Sequence, residues 1–258
     1  MTEPIYRRIA DSLRAEIDAG LIQPGSQLPT EAELTAAWGA SRSTVREAIR
    51  QLTELGLVEA RPGQGTFVRE KIVPVVTDLS ASPDLGGGEA ADYYIQVRSQ
   101  LRTPRSTVPR VEIHAARGIV ASELQVDPGS QVVSRHQERF VDAKPYSLQT
   151  SFYSMDLVTR GAVRLLEAAN VAQGCIRYLR DALGVEQVGY RDLITVRAPN
   201  EYESKFFTLP PDGRVAVFET FRTSYDQNGQ PMRITTTVYP TDRNEFVIEM
   251  PIPQPADE

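Results

Sequence analysis

Three arginines are spaced four residues apart in the N-terminal part of the chain, and their chemistry is that of nucleic-acid contacts. Arg42, Arg46 and Arg50 fall at i, i+4 and i+8, so on a helix they form one stripe. A guanidinium can donate two hydrogen bonds to O6 and N7 of guanine. Such a stripe is equally typical of a helix face in water, so the neighbouring residues decide between the two interpretations.

Hydroxyl side chains surround the start of the same predicted helix. The N-terminus of a helix offers free backbone N–H groups and a positive dipole end, which favour a phosphate. Recognition helices also place their N-terminal residues against base edges in the major groove. We therefore predict that Arg42 and Arg46 contact bases, and that the residues contacting phosphates are Ser41, Ser43, Thr44 and Arg50.

The elements that position these residues are predicted from local signals. Thr30 and Glu33 form a capping-box pattern that begins one helix, which ends near Gly39. A second helix begins at Ser41 and ends at Gly56, a spacing typical of a helix-turn-helix. Its predicted buried positions are Val45, Ala48, Ile49, Leu52 and Leu55.

A glycine-rich hairpin is predicted directly after this helix. Residues 57–60 and 66–68 resemble two strands, and residues 62–65 resemble the turn between them. We predict a wing whose tip, Gln64 and Gly65, lies beside a neighbouring groove. The alternative is an ordinary hairpin that only packs against the helices.

Residues 5–68 contain the run IYRRIADSLRAEI, then PGSQLPTEAELTAAWGASRSTVREAIRQLTELGLVEARPGQGTFV. This run resembles the N-terminal domain of GntR-family bacterial transcription regulators. The resemblance implies that the family's DNA-contacting positions are Arg42, Ser43, Thr44, Arg46 and the Gln64–Gly65 tip. Ala32 departs from the arginine that some members have there, which implies one missing contact.

Composition limits the remaining possibilities. The chain of 258 residues is long enough for two domains, and its net charge of −6 argues against general coating of nucleic acid. Residues 41–69 nevertheless contain five arginines against three acids, so we expect few, oriented and salt-sensitive contacts. The single Cys175 and the absence of a long apolar run or signal segment predict a soluble protein of the reducing cytoplasm without membrane contact.

The pattern predicts a winged-helix domain over 1–69, a linker over 70–90 and a second domain over 91–258. The linker contains prolines and three consecutive glycines, with a short strand over 72–76. In the second domain hairpins predominate, which predicts an α+β fold with an antiparallel sheet and helices on one face. Predicted strands are 108–115, 131–141, 146–153, 188–197, 214–225 and 232–239, and predicted helices are 116–124, 155–169, 175–183 and a short one after Asn200.

Residues 92–250 also resemble a known domain, through ELQVDPGSQVVSRHQERFVDAKPYSLQTSFY and FRTSYDQNGQPMRITTTVYPTDRNEF. It is the UTRA effector-binding domain of the HutC subfamily, similar in fold to chorismate lyase. The resemblance implies an effector between sheet and helices. Val141, Gln149 and Arg233 depart from the phosphosugar-binding pattern, and we favour an anionic ligand. The implied effector-binding residues are Arg135, Arg139, Gln149, Cys175, Arg177, Arg233 and Tyr239.

Two other functional classes are weighed against an effector-controlled regulator. An enzyme is disfavoured, because His114 and His136 are 22 residues apart without metal ligands at suitable spacing, and Cys175 has no nearby histidine in sequence. We therefore expect no catalytic residue, metal or cofactor. A ligand-independent winged-helix protein of plasmid transfer or replication control remains the main alternative. The favoured hypothesis is a homodimeric repressor of a palindromic operator whose affinity a small molecule changes.

Overall fold

The chain folds into two compact units that divide between Ile72 and Val73. The structure is a computed structural model that describes residues 4–69, 73–80, 91–211 and 213–249. Parts of the predicted linker, residues 70–72 and 81–90, lie outside the described residues. Residues 73–80 belong to the second unit.

The first unit packs three helices against a short hairpin. Its elements are α1 (Ile5–Asp18), α2 (Glu31–Trp38), α3 (Arg42–Glu54), β1 (Val58–Arg61) and β2 (Gly65–Val68). Val45, Ala48 and Leu52 of α3 are buried in the core as predicted. Leu55 is instead 53% exposed, because it follows the last residue of α3 as its C-cap and leaves the apolar stripe.

Capping interactions fix where α2 and α3 begin. The Thr30 hydroxyl accepts a bond from the Glu33 N–H, while the Glu33 carboxylate accepts one from the Thr30 N–H at 2.7 Å. Gly39 ends α2 with φ of 57°, a left-handed conformation that costs glycine little. Ser41 then caps α3 by accepting a bond from the Thr44 N–H at 3.2 Å. The predicted helix-turn-helix is therefore present.

The second unit is built on a seven-stranded antiparallel sheet. Its elements are β3 (Val75–Asp78), α4 (Ala91–Ser99), β4 (Pro104–Ser106), β5 (Arg110–Ala115), α5 (Gly118–Leu124), β6 (Gln131–Val141), β7 (Lys144–Ser154), α6 (Met155–Thr159), a 3-10 helix (Val163–Leu166), α7 (Cys175–Leu183), β8 (Gln187–Arg197), α8 (Glu201–Phe207), β9 (Val217–Asp226), β10 (Pro231–Pro240) and β11 (Asn244–Val247). The strands of the large sheet follow the order β4-β6-β7-β10-β9-β8, and β5 also pairs with β6. A separate parallel pair joins β3 to β11.

The α+β class is confirmed, but two details of the prediction were wrong. Helices cover both faces of the sheet rather than one: α5 packs with Val132 and Ile234, whereas α7 packs with Val133 and Tyr153. Because successive strand residues point to opposite faces, Val132 and Val133 place these helices on opposite sides. The helix predicted over 155–169 also ends at Thr159, because Gly161 adopts φ of 123°.

Candidate nucleic-acid surface and ligand cavity

The arginine stripe of α3, Arg42, Arg46 and Arg50, is exposed. Arg46 is 67% exposed, and its Nε donates to both carboxylate oxygens of Glu31 at 2.9 and 3.1 Å. Glu31 is the first residue of α2, so this ion pair joins α2 to Arg46 of α3. Both bonds use Nε, which leaves the terminal nitrogens Nη1 and Nη2 available for a base edge.

Arg50 is engaged more fully by its own helix. It donates to Glu47 at 2.5 Å and to Glu54 at 2.7 Å. Its hydrogen bond lowers the pKa of the Glu47 carboxyl, and the same bond raises the pKa of Arg50. A phosphate must therefore replace these carboxylates before Arg50 can bind it.

Hydroxyl groups gather at the N-terminus of α3. The Ser41 hydroxyl lies 2.8 Å from the hydroxyls of both Ser43 and Thr44. The three side chains thus form one cluster around the cap. Donors at a helix N-terminus suit an anionic oxygen, which is the arrangement predicted for phosphate contacts.

The hairpin is anchored to the segment that precedes α2. Gln27 donates through Nε2 to the Gln64 carbonyl at 2.8 Å and forms a bridge with Phe67. Gly65 has φ of 117°, and a Cβ there would lie 2.4 Å from Gln27 Nε2. Glycine at 65 thus permits both the backbone conformation and the close approach. The first strand begins at Val58, one residue later than predicted.

A cavity of about 90 Å³ lies in the second unit. Its floor is the sheet face of β6, β7, β9 and β10, and the other lining residues come from β3, the residue after it, and α4. The lining residues are Thr77, Asp78, Leu79, Tyr93, Gln96, Arg139, Tyr146, Gln149, Thr220, Arg222, Arg233, Thr235, Thr237 and Tyr239.

Three arginines line this cavity, and they differ in their interaction partners and in their burial. Arg222 pairs with Asp192 at 2.6 Å and donates to the Leu79 carbonyl at 2.6 Å. Burial lowers the pKa of Arg222, but Asp192 raises it more, so the net direction is upward. The Arg139 guanidinium carbon lies 4.8 Å from the centroid of the Tyr93 ring. Only Arg233 is fully enclosed, with 0% of its surface exposed.

Arg233 is poorly compensated where it lies. Its Nη2 is 3.4 Å from the Ser224 hydroxyl and 3.5 Å from Gln187 Oε1, while Nε and Nη1 have no hydrogen-bond partner. Within the described residues no carboxylate forms a salt bridge with it. A buried charge is costly unless it is paired and hydrogen-bonded. An anion in the cavity would supply the missing partner.

Tyrosines form another part of the cavity wall. Burial raises the pKa of Tyr93 to about 12, and burial likewise raises the pKa of Tyr146 and of Tyr239. These phenols therefore stay protonated near neutral pH. The Tyr146 hydroxyl is hydrogen-bonded to Thr77, which ties β7 to β3 at the cavity.

Comparison with known families assigns both units of the chain. The model for bacterial regulatory proteins of the gntR family matches residues 5–68, and the UTRA domain model matches residues 99–245. The chain belongs to the GntR family. Like other GntR regulators it is a DNA-binding transcription regulator, and its UTRA domain is of the kind that binds small-molecule effectors.

Individual relatives of this GntR protein support the assignment. The transcriptional regulator YurK of Bacillus subtilis is 29% identical over 250 residues, 96% of each chain. The repressor MngR of Escherichia coli, of a mannosyl-D-glycerate transport and metabolism system, is 31% identical over 156 residues, 60% of each chain. These relatives confirm a regulator rather than an enzyme.

Solved structures agree with the fold. A crystal structure of a GntR-family transcriptional regulator aligns with a TM-score of 0.64 and 26% identity, covering 97% of this chain and 99% of that one. PhnF of Mycobacterium smegmatis aligns with a TM-score of 0.56 and 22% identity, covering 94% and 98%. The second likeness concerns the fold alone.

The structure brings together four of the seven effector-binding residues inferred from the sequence. Arg139, Gln149, Arg233 and Tyr239 line the cavity. The other three, Arg135, Cys175 and Arg177, do not line it. Arg135 lies on the same face of β6 as Arg139, but four residues away, roughly 13 Å along the strand.

These three residues lie elsewhere in the second unit. Arg135 donates to the carbonyls of Leu165, Glu167 and Ala169 at 2.7–2.8 Å and so fastens the segment after the 3-10 helix. Cys175 is buried in the apolar cluster around α7. Arg177, two residues later on that helix, is exposed. Whether these residues reach the cavity depends on where the helices pack on the sheet. Strand periodicity in the sequence does not predict that.

Several cavity residues were missed at the sequence level. Thr235 and Thr237 follow Arg233 at intervals of two on β10, and Arg222 is opposite Thr235 in the β9–β10 pairing. The Asn228–Gly229 pair between these strands is a turn signal that fixes their register, so the sequence did contain this information. Thr77 and Tyr93 come from β3 and α4, and α4 had not been predicted.

The described ranges contain no group of three or more His, Cys, Asp or Glu residues that could hold a metal ion. Nor does any helix in that part of the chain have the length and apolarity to cross a membrane. His136 lies beside the Thr150 hydroxyl at 2.9 Å, and burial lowers its pKa.

Proposed function

We propose that the protein is a homodimeric repressor that binds a palindromic operator and releases it when a small anionic effector enters the cavity. The observation that carries this proposal is Arg233, a fully buried cation with unpartnered N–H groups facing that cavity. It favours an effector-controlled regulator over a ligand-independent one. MngR, a relative whose name identifies it as a repressor, supports repression.

On DNA, the arginine stripe of α3 enters the major groove. Arg42 and Arg46 contact base edges, and Gln64 and Gly65 lie beside the adjacent groove. The phosphate contacts are Ser41, Ser43, Thr44 and Arg50. Support comes from the exposure of these side chains and from the hydroxyl cluster at the helix N-terminus. We place this activity in the cytoplasm, where bacterial DNA lies.

The edge of the large sheet supports a homodimer. Strand β8 is the outermost strand of the order, and it exposes Val188 at 55% and Val196 at 64%. An exposed apolar edge strand is a template for pairing, and a second copy can pair with it through a twofold axis. Two winged-helix units would then contact half-sites about 34–36 Å apart, which makes the operator palindromic.

Coupling between cavity and DNA is proposed to run through the segment that includes β3. Thr77, Asp78 and Leu79 line the cavity, and this segment is where the second unit begins in sequence. Arg222 holds the Leu79 carbonyl at 2.6 Å. An effector that changes this contact alters the predicted linker over 70–90, and by linkage the operator must weaken effector binding by the same factor.

The experiment begins by sequencing the genomic fragments that the purified protein retains, since the target genes indicate candidate metabolites. A thermal-shift panel then finds those that bind, because a ligand of the folded state raises the melting temperature. Effector affinity is finally measured with and without operator DNA. We expect weaker effector binding on DNA, and equal affinities would reject the coupling.

A further inference from the structure

The segment before α2 is hydrogen-bonded to the edge of β2 that does not pair with β1. Backbone bonds join residues 25–28 to this strand, among them one of 2.8 Å from the Leu28 N–H to the Thr66 carbonyl. Gln27 forms a bridge with Phe67 in the same segment. Because the backbone pairing fixes this segment against the hairpin, it also fixes where the Gln27 side chain begins.

Gln27 projects from the face of the hairpin that points away from the core. Val68 of β2 is buried in the core, so its neighbour Phe67 lies on the opposite face. Gln27 shares that face, because residues paired across adjacent strands lie on the same side. Its side chain is exposed, and from there Nε2 donates to the Gln64 carbonyl at 2.8 Å.

The Gln27 amide lies directly against the backbone of the hairpin tip, Gln64 and Gly65. A Cβ on residue 65 would be 2.4 Å from Gln27 Nε2 and 3.3 Å from its Cδ. Within the turn, the Gln64 N–H donates to the Arg61 carbonyl at 3.0 Å. A glycine-rich turn has many accessible conformations, and a bond from a side chain outside the turn restricts them. Gln27 therefore positions the tip.

The Gln27 amide also has a donor left. A side-chain amide carries two N–H groups, and the Gln64 carbonyl accepts one of them. The other has no partner among the described residues. Arg61, a second donor beside the tip, is already engaged: Nε and Nη2 donate to Glu59 at 3.0 and 2.9 Å, and the guanidinium lies 4.3 Å from the centroid of the Phe67 ring.

Resting on the proposed function, which places the hairpin tip beside a groove, we infer that Gln27 is a further DNA-contacting residue. One N–H of its amide holds the Gln64 carbonyl, and the other donates to a phosphate oxygen of the same duplex. Side-chain amides are among the groups that contact phosphates in DNA complexes. The same side chain thus couples the conformation of the tip to contact with the DNA backbone.

Gln23 provides a matched control in the same unit. It is also exposed, and its Nε2 donates to the Gly20 carbonyl at 2.6 Å. This bond closes the loop after α1 and involves no residue of the hairpin. Gln23→Met and Gln27→Met therefore remove the same kind of bond, and only Gln27→Met removes it from the tip.

Binding is measured by fluorescence anisotropy on the full chain, with a genomic duplex that the purified protein retains. Gln27→Met should weaken binding about tenfold, as expected for a lost bond to a charged group, and Gln23→Met by less than about twofold. The two variants should have the same melting temperature, because both bonds are exposed. Equal weakening by both variants, or wild-type affinity in Gln27→Met, would overturn the inference.

Glutamate variants test the phosphate contact separately. Gln27→Glu and Gln23→Glu add the same charge, but only Gln27→Glu turns a donor beside the phosphate into an acceptor. Replacing Met by Glu should therefore weaken binding by a larger factor at position 27 than at position 23. The excess should shrink as NaCl rises. Equal factors at the two positions would overturn the phosphate contact.

A double-mutant cycle tests the positioning of the tip. Gly65→Ala should lower the melting temperature, because φ there is 117° and the new Cβ meets the Gln27 amide. In a Gln27→Ala background the second cause disappears, so the decrease should be smaller. Additive decreases would show that Gln27 does not hold the tip and would overturn that step.

These outcomes are separable from a failure of the proposed function. If Arg46→Ala weakens binding and Gln27→Met does not, the proposed surface of α3 stands and the inference on Gln27 falls. If neither variant changes binding to the retained duplex, the proposed DNA surface itself is wrong.

Discussion

The arginines of α3 and the arginine on the floor of the cavity have the same charge in opposite surroundings. Arg46 and Arg50 lie in water and are paired with Glu31, Glu47 and Glu54. Arg233 lies out of water and has no carboxylate partner among the described residues. Exposed pairs contribute about 0–1 kcal/mol, so they exchange at little cost. A buried unpaired charge lowers the stability of the folded protein, and a ligand of opposite charge would remove this destabilisation.

The difference separates two ways of recognising an anion. On α3, exposed carboxylates pair with Arg46 and Arg50, and the proposed phosphate and base contacts would have to displace them. In the cavity, no carboxylate among the described residues pairs with Arg233, so the proposed anionic effector should stabilise the protein. The affinity for DNA should therefore depend more strongly on salt concentration than the affinity for the effector does.

Salt provides the largest test of this comparison. Raising NaCl from about 50 to about 200 mM should weaken operator binding by about 10³–10⁵ if the dimer neutralises six to ten phosphates. Effector binding to the purified protein should change far less, because buried pairs are screened less. Fluorescence anisotropy with operator and calorimetry with effector measure the two slopes. Parallel slopes would show that the cavity is not shielded from solvent.

Arg46→Ala should have the next largest effect. Loss of contacts to a base should cost about 1–3 kcal/mol of operator affinity and relax the preference at that base pair. The measurement is a binding competition against operators mutated one base pair at a time. Uniform weakening at every position would show that Arg46 contacts the backbone instead.

Arg50→Ala should weaken binding to all sequences alike and lower the salt slope by about 1. The loss should be smaller than for Arg46→Ala, because Glu47 and Glu54 already compensate Arg50 in the unbound protein. Binding to operator and to random duplex over a salt series gives both quantities. A change of base preference in this variant would reverse the roles assigned to Arg46 and Arg50.

Glu31→Gln should have the smallest effect. The pair with Arg46 is exposed, so its loss should change stability by less than about 1 kcal/mol. We expect reduced discrimination between operator and random duplex, because the amide holds Arg46 Nε less firmly. Removing an acid should at the same time strengthen nonspecific binding. Unchanged discrimination would mean that Glu31 does not orient Arg46.

Local sequence was sufficient for the first unit and for much of the second. The Thr30 and Ser41 caps, the Gly39 end and the β6 bounds follow from interactions within a few residues, so they could be predicted. The pairing of β3 with β11 joins residues far apart in sequence, and no local pattern contains it. Helix α4 was missed for a related reason, since its place in the fold is set by partners in β4 and β3.

Of the two candidate sites, one could likewise be predicted from local sequence and the other could not. The α3 surface follows from helix periodicity, whereas the cavity depends on which part of a sheet face each helix covers. Arg135 and Arg139 have the same strand periodicity, yet one fastens a loop and the other lines the cavity. The sequence predicts that both arginines lie on one face of the sheet. It does not predict which part of that face a helix or loop covers and which part lines the cavity. Arg222 could have been found through its pairing opposite Thr235.

The parallel pairing of β3 with β11 gives the end of the chain a part in the response to ligand. Residues 244–247 hold residues 75–78, and Thr77 and Asp78 form one wall of the cavity. A stop codon before Asn244 would take away this support while leaving every residue of the first unit in place. If the proposed repression is correct, the shortened protein should still keep its promoter closed but no longer respond to its effector, which a reporter gene in the living cell would reveal.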